Sequence, residues 1–100
     1  MTALPPPTAE VARLVQIMGA EGALALIEWQ AAARYYVPKT VGADHPLAQA
    51  VGLPAAQALV SAMGSEYLKV PIGREWRIMV YRARGMSYAQ IGKALQISQN

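Results

Sequence analysis

Two segments of this chain end in Val-Pro, 33 positions apart: Tyr35-Tyr-Val-Pro38 and Leu68-Lys-Val-Pro71. The likeness extends upstream. Gly19, Ala23, Ala25, Leu26, Val37 and Pro38 match Gly52, Ala56, Ala58, Leu59, Val70 and Pro71, and Ile27 faces Val60. The shared unit is a glycine, a helix and a short strand closed by proline. Proline cannot donate to a strand ladder, so each strand stops there. A solenoid needs about three or more such units to bury a continuous core. Two units instead predict a helix–strand pair placed twice around one core. A two-stranded sheet is marginal in water, so its edges need cover, and a second copy of the chain is the obvious source.

Composition narrows the class. Hydrophobic residues make up 54% and charged residues 15% of 100 positions, the reverse of a disordered chain. This length is one domain. It carries more apolar surface than a small globule hides, which again points to a partner. Cysteine is absent, which excludes disulfides and thiolate sites. A single histidine, His45, argues against a histidine zinc site or a Ser-His triad. Glu21 and Glu28 share a helix face with no other polar constellation near them. No enzyme activity, metal or cofactor is therefore expected. No apolar run approaches the 18 or so residues of a membrane span, and no signal-like segment opens the chain. The expectation is a soluble, cytoplasmic protein that does not engage a membrane.

Local signals place the elements. Residues 1–7, with Pro5-Pro6-Pro7, read as a disordered or polyproline arm. Thr8 is a candidate N-cap with Glu10 behind it. Val11, Leu14, Val15 and Met18 have helical spacing up to Gly19, and residues 20–33 are rich in helix formers. Tyr35 to Val37 reads as a strand. Asp44 is a candidate cap for a helix from Pro46 to Val51, which breaks at Gly52. A further helix runs from Pro54 to Met63, with Gly64 as its C′ residue. Tyr67 to Pro71 holds the second strand. Gly73 opens a helix from Arg74 to about Arg84, with Trp76, Met79 and Val80 as its apolar stripe. Gly85 stops it, and Ser87 caps a helix from Tyr88 to Leu95. The expected fold is mainly α with two short β-strands.

Charge is divided along the chain. Residues 1–66 carry −2, and residues 67–100 carry +5. An acidic body with a basic tail suggests an assembly part and a polyanion-binding part. In the tail, the string from Arg84 through Gly-Met-Ser-Tyr-Ala-Gln-Ile-Gly-Lys-Ala-Leu-Gln-Ile to Ser98 has the spacing of a helix-turn-helix opening. Gly92 supplies the small residue at the helix crossing, Ile91 and Leu95 the flanking apolar positions, Ile97 the core plug. Gln96 stands where the turn usually has glycine. Ser98 would cap the recognition helix, with Gln99 and Asn100 entering it. A full recognition helix would extend about ten residues from Ser98, beyond Asn100, so the expectation is a truncated motif, either cut from a longer protein or belonging to one that does not read sequence. Arg74, Arg77, Arg82, Arg84 and Lys93 are candidate phosphate contacts. Ser87, Tyr88 and Gln90 are candidate contacts to the DNA backbone.

From about Leu26 to Ser98 the chain resembles the Mor (middle operon regulator) family of phage transcription activators. The resemblance rests on the order of Tyr36-Val-Pro-Lys39, Ala43-Asp-His-Pro-Leu47, Val51-Gly-Leu-Pro-Ala-Ala56, Leu68-Lys-Val-Pro-Ile-Gly73 and the helix-turn-helix opening. It implies a dimerisation region of helices and strands followed by a helix-turn-helix. It further implies a homodimer on an inverted-repeat promoter site of double-stranded DNA, with RNA polymerase as a possible partner. By that analogy the Val-Pro strands lie at the dimer interface near DNA, where Lys39 and Lys69 reach its backbone. The expected interface set is Leu26, Ile27, Trp29, Tyr35, Tyr36, Val37, Leu59, Leu68 and Val70. Residues 8–72 would then pair two chains, and residues 73–100 would face DNA. The alternative is a protein-interaction module derived from such a regulator, which pairs with or inhibits another protein without reading DNA.

Overall fold

Glycine and proline punctuation sets the elements in the computed structural model, which describes residues 4–98 (for Ile97 and Ser98, the backbone only). In chain order they are α1 Ala12–Gln30, β1 Arg34–Tyr36, α2 Pro46–Val51, α3 Leu53–Met63, β2 Tyr67–Lys69, α4 Arg74–Ala83 and α5 Tyr88–Ser98. The protein is mainly helical with one two-stranded antiparallel sheet.

The caps depart from expectation. Thr8 does not cap α1 with its side chain; its carbonyl accepts from the Val11 N–H at 3.1 Å, and the helix begins four residues later. At α2 the cap is His45, not Asp44: Nδ1 accepts from the Leu47 N–H at 3.0 Å. Gly64 has φ −58°, so the left-handed residue after α3 is Ser65 at φ 68°. Gly64 is needed for space instead: a Cβ there would lie 2.7 Å from the Val60 carbonyl oxygen and 3.2 Å from that of Pro38.

The 33-residue echo is a structural repeat. Gly19 (φ 78°, ψ 162°) and Gly52 (φ 90°, ψ 146°) share one unusual backbone conformation, each just before a helical run. The helices end alike, at Ala31 (φ −50°, ψ 134°) and Gly64 (φ −58°, ψ 141°). Next come the left-handed Ala32 and Ser65, then the strands. The strands pair Arg34 with Lys69, Tyr35 with Leu68 and Tyr36 with Tyr67. The central pair, Tyr35 and Leu68, joins equivalent positions of the two units. Flanking hydrogen bonds obey the same relation. Ala32 N–H donates to the Val70 carbonyl as Ser65 N–H does to that of Val37, and Val37 N–H donates to Glu66 as Val70 N–H does to Ala33. The two units are therefore related by an approximate two-fold axis through the sheet.

One core serves the described residues. Gly19 kinks α1, so Leu14 and Met18 on one side and Ala23, Leu24, Leu26 and Ile27 on the other turn inward together. Helices α1 and α3 cross closely at Gly22, where a Cβ would come within 2.7 Å of the Ala55 Cβ. Trp76, Val80 and Tyr81 of α4 and Ile91 and Leu95 of α5 belong to the same buried cluster as Val11, Leu26, Leu59 and Val70. The boundary near residue 72 is thus no break in packing. The radius of gyration, 13.3 Å, matches the ~13 Å of a single 100-residue domain. The proline arm, expected to be disordered or polyproline, is docked where it is described. Leu4 packs on the core, and the Pro5 carbonyl accepts from Trp76 Nε1 at 3.1 Å. No helix among the described residues is long and apolar enough to cross a membrane.

Candidate nucleic-acid interface

Gly73 caps α4, and its φ of 63° and tight fit against Val11 and Ile27 favour glycine. Glu75 in its first turn and Arg82 in its last complement the helix dipole. The buried stripe is Trp76, Arg77, Val80 and Tyr81. Met79, expected inside, is 40% exposed, and Arg77, expected on phosphate, is fully buried. The i, i+1, i+4, i+5 pattern of the stripe takes in position 77 and leaves out 79. Burying a guanidinium requires hydrogen-bond partners. The Arg77 Nε donates to the Tyr81 hydroxyl at 3.2 Å and Nη1 to the Ile72 carbonyl at 3.4 Å. The Tyr81 hydroxyl in turn donates to Glu28 Oε2 on α1 at 2.7 Å. Burial first, and then the bond to Glu28, push the Tyr81 phenol above its ordinary value, against an opposing pull from Arg77. Through Tyr81, Arg77 helps bolt α4 to α1; being fully buried, it is not a phosphate contact.

The turn into α5 follows from Gly85, at φ 84°. Ser87 and Gln90 form a reciprocal capping box. Ser87 N–H donates to Gln90 Oε1 at 2.8 Å, and Gln90 N–H donates to Ser87 Oγ at 3.2 Å. Two of the three side chains assigned to the DNA backbone, Ser87 and Gln90, are thus occupied at the helix start. Ile91 and Leu95 are buried as expected. Gly92 is not at a helix crossing: it is exposed, and a Cβ there would meet nothing within 4 Å. Nor does α5 turn at Gln96; it runs on to Ser98, which is a helical residue rather than the cap of a following helix. Gln99 and Asn100 lie outside the described residues.

The remaining cations differ in their surroundings. Arg84 is 3.7 Å from Glu21, and the Arg82 guanidinium lies 4.4 Å from the ring centre of Tyr88, which is 74% exposed. Arg74, Lys93, Lys39 and Lys69 are exposed. Sequence reasoning missed Arg34, which is exposed across from Lys69. Strand alternation was the available signal, since Arg34 falls on the face of Tyr36 once the strand starts one residue earlier.

The expected dimer surface divides in two. Leu26, Ile27, Val37, Leu59 and Val70 are buried in the chain's own core, so they are not surface that a partner covers. The internal repeat supplies the burial that was assigned to a second copy. Trp29 and Tyr36 are exposed, Tyr35 and Leu68 half-buried, and Tyr67 joins them as an exposed ring. Trp29 and Tyr35 meet edge-on at 5.5 Å, and burial raises the Tyr35 phenol above its ordinary value. Among the described residues no three of His, Cys, Asp and Glu come together as a metal site. No family model, curated protein or solved structure matches the chain. The likeness to the Mor family therefore rests on its motif order alone.

Proposed function

We propose that this chain is a DNA-binding transcription regulator of the Mor type, a cytoplasmic homodimer acting at an inverted-repeat promoter site. The observation that carries the reading is the α4–α5 pair. Its inner face is pinned by Trp76, Val80, Ile91 and Leu95, while Arg74, Arg82 and Lys93 stay exposed in a segment of net charge +5. A rigid basic helix pair of this kind suits a phosphate backbone. The exposed Trp29, edge-on to Tyr35, supports pairing with a second copy, since aromatic residues are enriched at interfaces.

The test is duplex binding by fluorescence anisotropy at two salt concentrations, with sedimentation alongside. Binding should weaken with salt, and Arg74→Gln, Arg82→Gln and Lys93→Gln should each lower the salt slope by about 0.9. Absent or salt-independent binding refutes the DNA reading, and a monomer at micromolar concentration refutes the dimer. A second reading is favoured by two observations, the unbroken α5 through Gln96 and the open surface at Gly92. It is a protein-interaction module derived from such a regulator, which would dimerise with a relative and show no duplex affinity.

A further inference from the structure

The approximate two-fold axis makes the two ends of the sheet's outer face equivalent in backbone. It equates Arg34 with Tyr67 and Tyr36 with Lys69. Because the strands are antiparallel, the unlike side chains sort by end: Arg34 stands opposite Lys69, and Tyr36 opposite Tyr67. One end is doubly cationic and the other doubly aromatic. Like charges directly opposite across an antiparallel pair are destabilising. No carboxylate relieves this pair, since the salt bridge found among the described residues is Arg84 with Glu21. The Arg34 guanidinium is instead held 4.3 Å from the ring centre of Tyr67, and the Tyr36 and Tyr67 rings meet edge-on at 5.1 Å. A recess of about 410 Å³ opens there, lined by Ala32, Arg34, Tyr67 and Lys69. That volume is in the range of small-molecule sites.

We propose that this recess binds a nucleoside monophosphate. The guanidinium fork accommodates two phosphate oxygens, and the Lys69 ammonium supplies a second positive charge. The base lies against Tyr67, the aromatic residue of the lining, whose ring gives flat apolar contact. The bound phosphate also removes the repulsion between Arg34 and Lys69. A free nucleotide and a nucleotide within a single strand offer the same chemistry. The proposal does not depend on duplex binding by α4 and α5, which uses other side chains.

The experiment is a titration of the isotope-labelled full chain followed by amide NMR, with adenosine monophosphate, adenosine, inorganic phosphate and a short single-stranded oligonucleotide as separate probes. The monophosphate should shift amides of residues 32–36 and 67–70. Adenosine and phosphate alone should bind at least about tenfold more weakly, each lacking half of the contacts. Arg34→Gln and Lys69→Gln should each weaken the monophosphate at least about tenfold and leave distant amides in place, because each relieves the like-charge pair. Tighter binding of the oligonucleotide at the same amides assigns the phosphate to a strand, and the reverse order assigns it to a free nucleotide. No shift at millimolar nucleotide, or shifts that persist in the Arg34→Gln, Lys69→Gln double variant, would overturn the site.

Discussion

Replacing Tyr81 with phenylalanine removes one oxygen atom from the junction of α4 with α1. That oxygen accepts from the Arg77 Nε at 3.2 Å and donates to Glu28 Oε2 at 2.7 Å. Glu28 is exposed and recovers water, so its side of the loss is small. Arg77 is fully buried, so the Tyr81 hydroxyl is one of the acceptors that compensate its charge. A buried hydrogen bond to a charged group contributes about 1.5–3 kcal/mol. Tyr81→Phe should therefore cost about 2 kcal/mol. In a domain of this size that lowers Tm by roughly 8–16 °C. Urea and thermal unfolding followed by circular dichroism would measure it. Arg77→Met removes the charge that needs the acceptor. The double variant should thus be less destabilised than the two single costs added together, by about 1–2 kcal/mol. A Tyr81→Phe protein within about 0.5 kcal/mol of the parent, or strict additivity in the double variant, would refute the account of Arg77 as a bolt.

Two glycines should respond with opposite sign. Gly64→Ala forces a Cβ against two backbone carbonyls and should destabilise by about 1–3 kcal/mol, whereas Gly92→Ala, in an open helical position, should stabilise by about 0.5–1 kcal/mol; paired melting curves decide both. The raised phenols of Tyr81 and Tyr35 keep protons that the unfolded chain releases near pH 10.0. Their stabilisation is therefore complete below that pH and declines as pH climbs towards the folded-state values. Tyr81→Phe should flatten part of this alkaline loss in unfolding measured from pH 8 to 12. Deleting residues 1–7 removes the Pro5 acceptor of Trp76. In a Trp29→Phe background the Trp76 emission should move to the red, with a stability loss of about 1 kcal/mol, and unchanged emission would show that the arm does not cover the ring.

Much of the candidate interface was legible one residue at a time and misleading in sum. The capping residues Ser87 and Gln90 and the inward Ile91 and Leu95 follow from local spacing. Arg77 does not, because a cation in a helix is ordinarily solvated. The meeting of its guanidinium with Tyr81 and, beyond that hydroxyl, Glu28, 53 residues from Tyr81 in sequence, helps make burial tolerable. Gly92, expected at the crossing within the helix-turn-helix motif, faces open space, and a close crossing of other helices, α1 and α3, lies at Gly22 against Ala55. Both glycines sit in helical runs, and the sequence has no sign of which helix passes over which.

Local chemistry by itself determined where the chain breaks. Gly19, Gly52, Pro38 and Pro71 act through their own backbone restrictions, so the repeated helix–strand unit is visible without coordinates. Which strand pairs with which was decided by the tertiary structure. The same Val-Pro segments would satisfy a partner's strand or each other. Closing a connection of about thirty residues costs only a slowly growing entropy, which permits the pairing within the chain. That choice buries Leu26, Val37, Leu59 and Val70 at home and gathers Arg34, Lys69, Tyr36 and Tyr67 on one outward face.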